Sequence, residues 1–570
     1  MNVLLVEPDY VNKFPPLGLM KLATYHKNRG DKVEFYKGKA PYTLISRTDR
    51  VYITTLFTFY YEITIETIKH YLNYLHKDSV YIGGIASTIL YRKFKKELCT
   101  DNVIRGQLTN SSMIGFSDNV NIDELSLDYD ILDDIIYQYP VKDNFFIHTT
   151  RGCPRRCEFC AVPVLESEFK DTNNVIKQIT SIREKYGDMR NVMIMDNNIL
   201  YSRKLSQIVK DLNRLGFINQ RPNFVYPHPL ELLVNKVLRR KNDGDPFAKQ
   251  IDDIIDFLIR FSTKIQGRDN QVIYKNILLK IQSGDNKLEI MLESQEILNK
   301  IIDIYRYKQP LQRYIDFNQG IDARLINEKK MKTLSKLPIK PFRLAYDNIE
   351  STENYQNAFN TAYKHGVKYF SNYILYNYKD KPEDLWNRLH NNTDLYKEKD
   401  DIQAFSFPMK YAPIGRIDRD FIGINWNKKY LSAINLILNV TKGVVAKEKD
   451  FFYKAYGENI EEYLMILTMP ADFIKHRFLF EKKGFIAAWK QDYLKLDPSE
   501  RKTLLEALCG KGKEKASKNV KIKNVLGYYT ITKENYKNKP LIINQSDEVS
   551  CRNRSVVRKR MTSSGEIEEE

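Results

Sequence analysis

The stretch HTTRGCPRRCEFCAVP, residues 148–163, contains three of the six cysteines of the chain, Cys153, Cys157 and Cys160. Their spacing is Cys-x3-Cys-x2-Cys, and thiolates this close together can surround one soft metal centre, which favours zinc or an iron–sulfur cluster. A structural zinc site takes four ligands, and no further Cys or His follows at zinc-finger spacing. Three thiolates on a 4Fe–4S cluster leave one iron open to another ligand.

The sequence around this stretch alternates between strand and helix patterns, as in a protein with a parallel sheet. Helical patterns separate six predicted strands, which are FFIHTT (145–150), NVMIMDNNIL (191–200), YIDFNQGIDARL (314–325), FRLAYDNI (342–349), VKYFSNYILYNY (367–378) and IQAFSFPMKYAP (402–413). Ligands of such sheets lie at the carboxyl ends of the strands. The polar residues that follow these strands are therefore the candidate binding residues.

The motif RGCPRRCEFC resembles the signature of radical S-adenosylmethionine (SAM) enzymes, including the aromatic residue, here Phe159, before the last cysteine. The resemblance implies that Cys153, Cys157 and Cys160 hold a 4Fe–4S cluster whose fourth iron is chelated by SAM. It also implies reductive cleavage of SAM to start radical chemistry, an electron donor of the flavodoxin or ferredoxin type, and a partial (β/α)6 barrel. The alternative for the cysteines is a zinc site or an inert iron–sulfur clip.

Three polar segments at strand ends are the candidate SAM contacts. Asp196, Asn197 and Asn198 follow the second strand, where the resemblance places the amino group of SAM. Their oxygens are suitable acceptors for an ammonium group, although Asx residues also favour turns and helix N-caps.

The other two segments follow the third and fourth strands. Asp347 lies where the resemblance implies an acidic residue for the ribose hydroxyls. Gln319, Asp322 and Arg324 form a dense polar run, in which Asp322 and Arg324 point the same way if the strand continues. That pair is either a plain ion pair or a contact to SAM or substrate.

Residues 1–135 predict a Rossmann-like domain similar to the cobalamin-binding domains that precede some radical SAM barrels. The similarity includes PPLGLMKLA (15–23) and the strand that ends in Gly83-Gly84. However, the loop after the first strand, Asp9–Lys13, lacks the His and Gly of the Asp-x-His-x-x-Gly motif. We therefore favour a retained scaffold over cobalamin binding, and we place His26 on the solvated face of its helix.

The complete fold prediction is an α/β protein with four parts. After the Rossmann-like domain, residues 136–416 form the partial barrel, with a helical insertion at about 217–312. Residues 417–535 are mostly helical, and the tail 536–570 is polar and predicted to be disordered. Within the helical region, residues 510–523 carry six lysines and one glutamate, a composition that predicts a mobile basic loop.

The composition limits the function classes. With 570 residues, 42% hydrophobic content and a net charge of +18, the chain can build several cores, so a wholly disordered or collagen-like chain is excluded. No apolar run is long enough to span a membrane, and MNVLLVEPDY (1–10) predicts a buried strand, so we expect a cytoplasmic protein. The positive net charge is compatible with a nucleic acid or a nucleotide as the substrate class.

The remaining cysteines, Cys99, Cys509 and Cys551, stand far apart. A second iron–sulfur cluster of the kind used in sulfur insertion is therefore not predicted, which favours methylation or another radical modification over methylthiolation. The sequence prediction is a radical SAM enzyme with one 4Fe–4S cluster and an unknown substrate. The alternative function is a nucleic-acid-binding or assembly protein with a structural iron–sulfur clip.

Overall fold

The computed structural model describes residues 1–172, 174–397 and 399–538, and the backbone of 560–561 and 567–568. Cys551 and most of the predicted tail lie outside the described residues. The contacts divide the chain into two units. The first comprises Met1–Arg343, Ala358–Val367 and Pro413–Arg419, and the second comprises Leu344–Asn357, Lys368–Ala412 and the residues from Asp420 onward.

The N-terminal part of the first unit is a four-stranded parallel sheet of order β2-β1-β3-β4. Its strands are β1 (Asn2–Glu7), β2 (Lys32–Lys37), β3 (Arg50–Thr55) and β4 (Val80–Gly84). Its helices are α1 (Leu17–Asn28), α2 (Tyr42–Ile45), α3 (Tyr61–Leu72), α4 (Ile85–Ile89) and α5 (Tyr91–Leu98). The predicted Rossmann-like sheet is confirmed, and its strand order reverses between β1 and β3.

Both faces of this sheet are covered, which explains why its strands are apolar at nearly every position. Val3 and Leu5 on β1 belong to the hydrophobic core that includes Leu19 of α1. Leu4 and Val6 point to the other face and belong to the core that includes Ile65 of α3.

The predicted solvated position of His26 is wrong. His26 is fully buried, with its Nδ1 2.7 Å from Asp31 Oδ2 and its Nε2 3.0 Å from the Tyr52 hydroxyl. Burial lowers the pKa of His26, although Asp31 opposes that shift. The two polar partners allow the imidazole to lie in the core.

The next part of the first unit contains the first three strands of the predicted strand–helix repeat. Its strands are β5 (Asn144–Ile147), β6 (Thr150–Arg151), β7 (Lys170–Asp171), β8 (Asn191–Ile194) and β9 (Tyr314–Phe317). β5, β8 and β9 form a parallel sheet in that order, and β6 and β7 form a short antiparallel hairpin. Three helices follow these strands, α6 (Val162–Leu165), α7 (Val175–Tyr186) and α8 (Leu205–Arg214).

The predicted helical insertion is confirmed as four helices, α9 (Pro229–Asn242), α10 (Ala248–Ser262), α11 (Arg268–Ser283) and α12 (Lys287–Tyr305). They share a core that includes Val237, Leu258 and Ile302. Arg239 on α9 binds Asp130 through two hydrogen bonds of 2.9 Å. This bidentate pair anchors the insertion to the segment that follows the Rossmann-like sheet.

After the insertion the chain passes through β9 and α13 (Glu328–Leu334) to a second sheet of order β10-β11-β12-β13. Its strands are β10 (Phe342–Ala345), β11 (Tyr369–Tyr376), β12 (Gln403–Lys410) and β13 (Val445–Ala446). β11 and β12 are parallel, whereas the short β13 is antiparallel to β12. The helices α14 (Thr352–Lys364) and α15 (Pro382–Lys397) follow β10 and β11. All six strands predicted from the sequence are confirmed.

The C-terminal region is helical, as predicted, and the α/β fold class is confirmed. Its helices are α16 (Lys428–Val440), α17 (Lys449–Tyr456), α18 (Ile460–Thr468), α19 (Ala471–Lys475), α20 (Arg477–Lys482), α21 (Phe485–Leu494), α22 (Pro498–Leu508), α23 (Lys513–Lys518) and α24 (Val520–Gly527). Two further short strands, β14 (Arg560–Met561) and β15 (Ile567–Glu568), pair with each other.

The prediction of a mobile loop at residues 510–523 is wrong, because α23 and α24 occupy most of this segment. Ala516, Ile522 and Val525 are buried and give the two helices an apolar face. The high lysine content predicted a loop because composition alone does not show which positions of a segment are buried.

Candidate functional site

The three cysteines of the motif lie on the loop between β6 and α6, and their side chains are half-buried. The Cys160 N–H donates a 3.0 Å hydrogen bond to the Cys157 carbonyl oxygen, which closes a turn around the last two cysteines. Gly152 precedes Cys153 with φ +70°, and a Cβ at this position would overlap the carbonyl oxygen of Glu168. The motif therefore needs glycine here for both its backbone conformation and its close packing.

The donor set fits an iron–sulfur cluster with one open iron. Three thiols lie within eight residues, none in a disulfide, and Asn198 Nδ2 lies 3.5 Å from Cys153 Sγ. Hydrogen bonds to cluster sulfurs are a recognised means of tuning such sites. In the part of the chain that the structure describes, no three Cys, His, Asp or Glu side chains are already arranged as metal ligands.

Glu166, which the sequence analysis missed, connects the cysteine loop to the end of β8. Its Oε2 accepts hydrogen bonds from Gly152 N at 2.5 Å and from Asn197 Nδ2 at 2.8 Å. Its Oε1 accepts from Arg151 Nη1 at 3.2 Å and from Gln107 Nε2 at 3.0 Å. One carboxylate therefore holds the residue before Cys153 and a candidate SAM contact in fixed positions.

A chain of charges extends from Glu166 towards α1. Arg151 also contacts Asp123 Oδ1 at 2.5 Å, and the same oxygen lies 2.7 Å from Lys21 Nζ. Burial acts to raise the pKa of Asp123, but Lys21 and Arg151 lower it to about 2. Asp123 therefore stays ionised near neutral pH and orients Arg151 towards Glu166.

We expect Glu166→Gln to loosen the start of the cysteine loop. An amide cannot accept hydrogen bonds at both of its ends, so two of the four donors lose their acceptor. Each hydrogen bond to a charged group contributes about 1.5–3 kcal/mol, and we expect SAM affinity to fall at least ~10-fold. Titration of SAM by calorimetry measures this.

The matched control for that variant is Glu168→Gln, because the Glu168 side chain is exposed and pairs only with Lys170 in the described structure, at 3.0 Å. We expect the control to bind SAM as the unmodified protein does. Equal affinities for Glu166→Gln and Glu168→Gln would contradict the positioning role of Glu166.

Asp196, Asn197 and Asn198 follow β8, next to the end of its parallel neighbour β5. Asp196 is buried, and its carboxylate accepts hydrogen bonds from both the N–H and the hydroxyl of Thr149, the former at 2.7 Å. Asn198 is also buried, and within the described residues its Oδ1 has no hydrogen-bond partner. Asn198 Oδ1 is therefore an acceptor available to a ligand, whereas Asp196 already has a structural role.

Burial raises the pKa of Asp196 to about 6, although hydrogen bonds from Thr149 oppose the shift. Because this pKa is above the usual range of an unfolded Asp, the folded state loses stability as pH rises from about 4 to 6. We expect the free energy of unfolding of the unmodified protein, relative to Asp196→Asn, to fall by about 2–3 kcal/mol across this interval. Chemical denaturation at both pH values measures it, and a constant difference would contradict the assignment.

The polar run after the third strand differs from its predicted conformation. β9 ends at Phe317, and residues Ala323–Leu325 form a 3-10 turn whose N-cap is Asp322. The predicted ion pair is confirmed, with Arg324 Nε 2.7 Å from Asp322 Oδ1, but it forms across this turn and not along a strand. Gln319 is exposed.

Arg155, inside the cysteine motif, is the second residue that the sequence analysis missed. Its Nε donates to Asp322 Oδ2, so the cysteine loop is tied to the segment after β9. Burial acts to raise the pKa of Asp322, but Arg324 and Arg155 lower it overall. Asp322 therefore acts here as an anchor for two arginines.

Two candidates remain. Phe159 is half-buried within the cysteine loop. Asp347 belongs to the second unit, where it follows β10 and is half-buried. Its carbonyl oxygen accepts a 2.9 Å hydrogen bond from Arg388 Nη1, which fixes the backbone at this position.

A search of solved structures matches a radical S-adenosylmethionine methyltransferase, TsrM, from Kitasatospora setae, determined with cobalamin and a 4Fe–4S cluster bound. The match covers 73% of this chain and 77% of that protein, with 14% sequence identity and a TM-score of 0.40. No model of a protein family matches the sequence, and neither does any curated protein.

The Rossmann-like part supplies no histidine to cobalt in the loop after β1. Instead, the ring of Tyr10 stacks on that of Tyr60 with centroids 4.8 Å apart. Gly84 has φ +113°, and a Cβ there would overlap the Thr55 carbonyl oxygen. Gly84 is therefore explained by the close approach of β4 to β3, whereas a Cβ at Gly83 would make only ordinary contact with Ile104. The loop after β1 does not fit cobalamin with a histidine axial ligand.

Among the residues that the structure describes, none of the helices combines the length and the apolar composition of a membrane span.

Proposed function

We propose that the chain is a radical SAM enzyme in which Cys153, Cys157 and Cys160 hold a single 4Fe–4S cluster. The observation that supports this most strongly is that three half-buried thiols lie within eight residues on one loop, where Asn198 Nδ2 lies 3.5 Å from Cys153 Sγ. When bound to these cysteines, such a cluster would supply the electron for the cleavage of SAM to methionine and a 5′-deoxyadenosyl radical. A reductant of the flavodoxin or ferredoxin type is then a required partner.

The side chains around the cysteine loop would hold SAM by its polar groups. We assign the ammonium group to Asn197 and to the buried, unpaired Oδ1 of Asn198, with Asp196 supplying negative charge behind them. Gln319 and Arg324 are proposed contacts to SAM or substrate, Asp347 to the ribose hydroxyls, and Phe159 to the cofactor within the loop.

The N-terminal sheet acts in this proposal as a scaffold for the cysteine loop. Gln107 and Asp123, which follow the sheet, reach Glu166 and Arg151. Because Cys99 and Cys509 lie far apart in the sequence, methylation or another radical modification is favoured over methylthiolation.

The test is anaerobic reconstitution of the protein with iron and sulfide, followed by incubation with SAM and a strong reductant. We expect 5′-deoxyadenosine to form in the reconstituted protein and not in the sample without iron. Absence of this product from a protein that holds a full cluster would overturn the proposed reaction.

A further inference from the structure

Residues 510–523 in the second unit form a surface of concentrated positive charge. The lysine surface consists of six exposed side chains on α23, α24 and the adjoining turns, namely Lys511, Lys513, Lys515, Lys518, Lys521 and Lys523. Because the two helices are packed on α21 and α22, these charges are held on an ordered support. These lysines therefore lose less conformational entropy on binding than lysines on an unstructured loop would lose.

The lysine surface is not neutralised by its own carboxylates. Lys521 lies 3.6 Å from Glu500, but the described structure shows no ion pair for the other five lysines. Some exposed lysines elsewhere do have such partners, for example Lys69 with Glu97 at 2.8 Å and Lys300 with Glu296 at 2.6 Å. The unpaired charges are therefore available to an anionic partner.

The surroundings of the lysines indicate which polyanion fits. A helix that attaches stably to a membrane combines basic side chains with an exposed apolar face, whereas Ala516, Ile522 and Val525 are buried. Val520 is the exposed apolar side chain of this segment, and one valine is too little to insert into lipid. Binding to the repeated phosphates of a nucleic acid requires only an array of exposed cationic side chains.

The aromatic residues next to the lysine surface do not form a stacking platform for bases. The hydroxyl of Tyr528 donates to Asp492 at 3.0 Å, and that of Tyr529 donates to the carbonyl oxygen of Thr468. Both rings are half-buried and anchored through their hydroxyl groups. Recognition by the lysines alone would read phosphates and not bases.

We propose that the lysine surface binds the phosphate backbone of a nucleic acid without base specificity. This inference goes beyond the proposed SAM chemistry and does not depend on it. Since duplexes carry a higher density of phosphate than single strands, the surface should prefer a duplex.

The test is fluorescence anisotropy of a short labelled DNA duplex with the full-length protein between about 50 and 200 mM salt. We expect the quadruple variant K511Q/K513Q/K515Q/K518Q to weaken binding by at least ~100-fold at low salt. The slope of log K against log salt should become less steep by about 3–4, since each lost phosphate contact removes about 0.9.

The control variant removes the same net charge from lysines that already have carboxylate partners, K69Q/K95Q/K300Q/K364Q. We expect it to keep the affinity and the slope of the unmodified protein, and circular dichroism confirms that both variants fold. Equal losses in the two variants, no binding by the unmodified protein, or binding to phosphatidylserine vesicles in place of the duplex would each overturn the proposal.

Discussion

A Cys157→Ala variant is expected to lose the cluster and with it all SAM cleavage above background. Three thiolates are the minimum that holds a 4Fe–4S cluster while leaving one iron for SAM, so two thiolates do not retain it. We expect iron content after anaerobic reconstitution to fall several-fold, together with the broad visible absorption of the cluster. No 5′-deoxyadenosine should form.

Cys99→Ala is the matched control, because Cys99 is an exposed cysteine outside the motif. This variant should retain iron, absorption and product formation. If Cys157→Ala also retained them, Cys157 would not be a ligand and the proposed function would fail.

Arg388→Met is expected to give the largest loss of stability. Arg388 is fully buried on α15, with Nη2 2.9 Å from Asp380 Oδ2. The guanidinium also donates to the carbonyl oxygens of Tyr346, Asp347, Leu375 and Asp384 at 2.7–3.2 Å. Its removal leaves the half-buried Asp380 carboxylate without its cationic partner, and each of these carbonyl oxygens with one donor fewer, at a cost of about 3–5 kcal/mol.

Chemical denaturation of the full-length protein measures this loss. Arg477→Met is the control, since Arg477 forms a half-exposed pair with Glu481 at 2.8 Å, and such pairs contribute less than about 1 kcal/mol. Arg388→Lys should fall between the two, because an ammonium keeps the charge but lacks the planar donor fork. Equal stabilities for the two methionine variants would contradict the role of Arg388.

The fold could be predicted from local patterns where burial is uniform. The six repeat strands and the sheet containing β1 and β4 are short apolar runs followed by helices, and that signal is independent of distant residues. This signal failed where a residue distant in the sequence, or an apolar periodicity obscured by lysines, determines whether a side chain is buried. His26 on α1 is buried because Tyr52, on β3, completes its hydrogen bonds, and the lysines around Ala516 conceal a helix.

The sequence predicts the metal ligands of the candidate site, but it does not predict the residues that hold the cysteine loop in position. The spacing of the three cysteines within eight residues predicts that they are metal ligands. Glu166 has no local signature, because its partner Asn197 lies 31 residues away. Arg155 is inside the motif, but its acceptor Asp322 is 167 residues distant, so only the folded chain shows that the loop is tied to the segment after β9.

Electron paramagnetic resonance of the reduced, reconstituted protein with and without SAM tests the central claim most directly. A cluster with one iron free of thiolate should give a 4Fe–4S signal that changes when SAM binds that iron. We predict such a change in the unmodified protein. A signal that SAM leaves unaltered, or a purified protein that holds zinc at the three cysteines, would contradict the account.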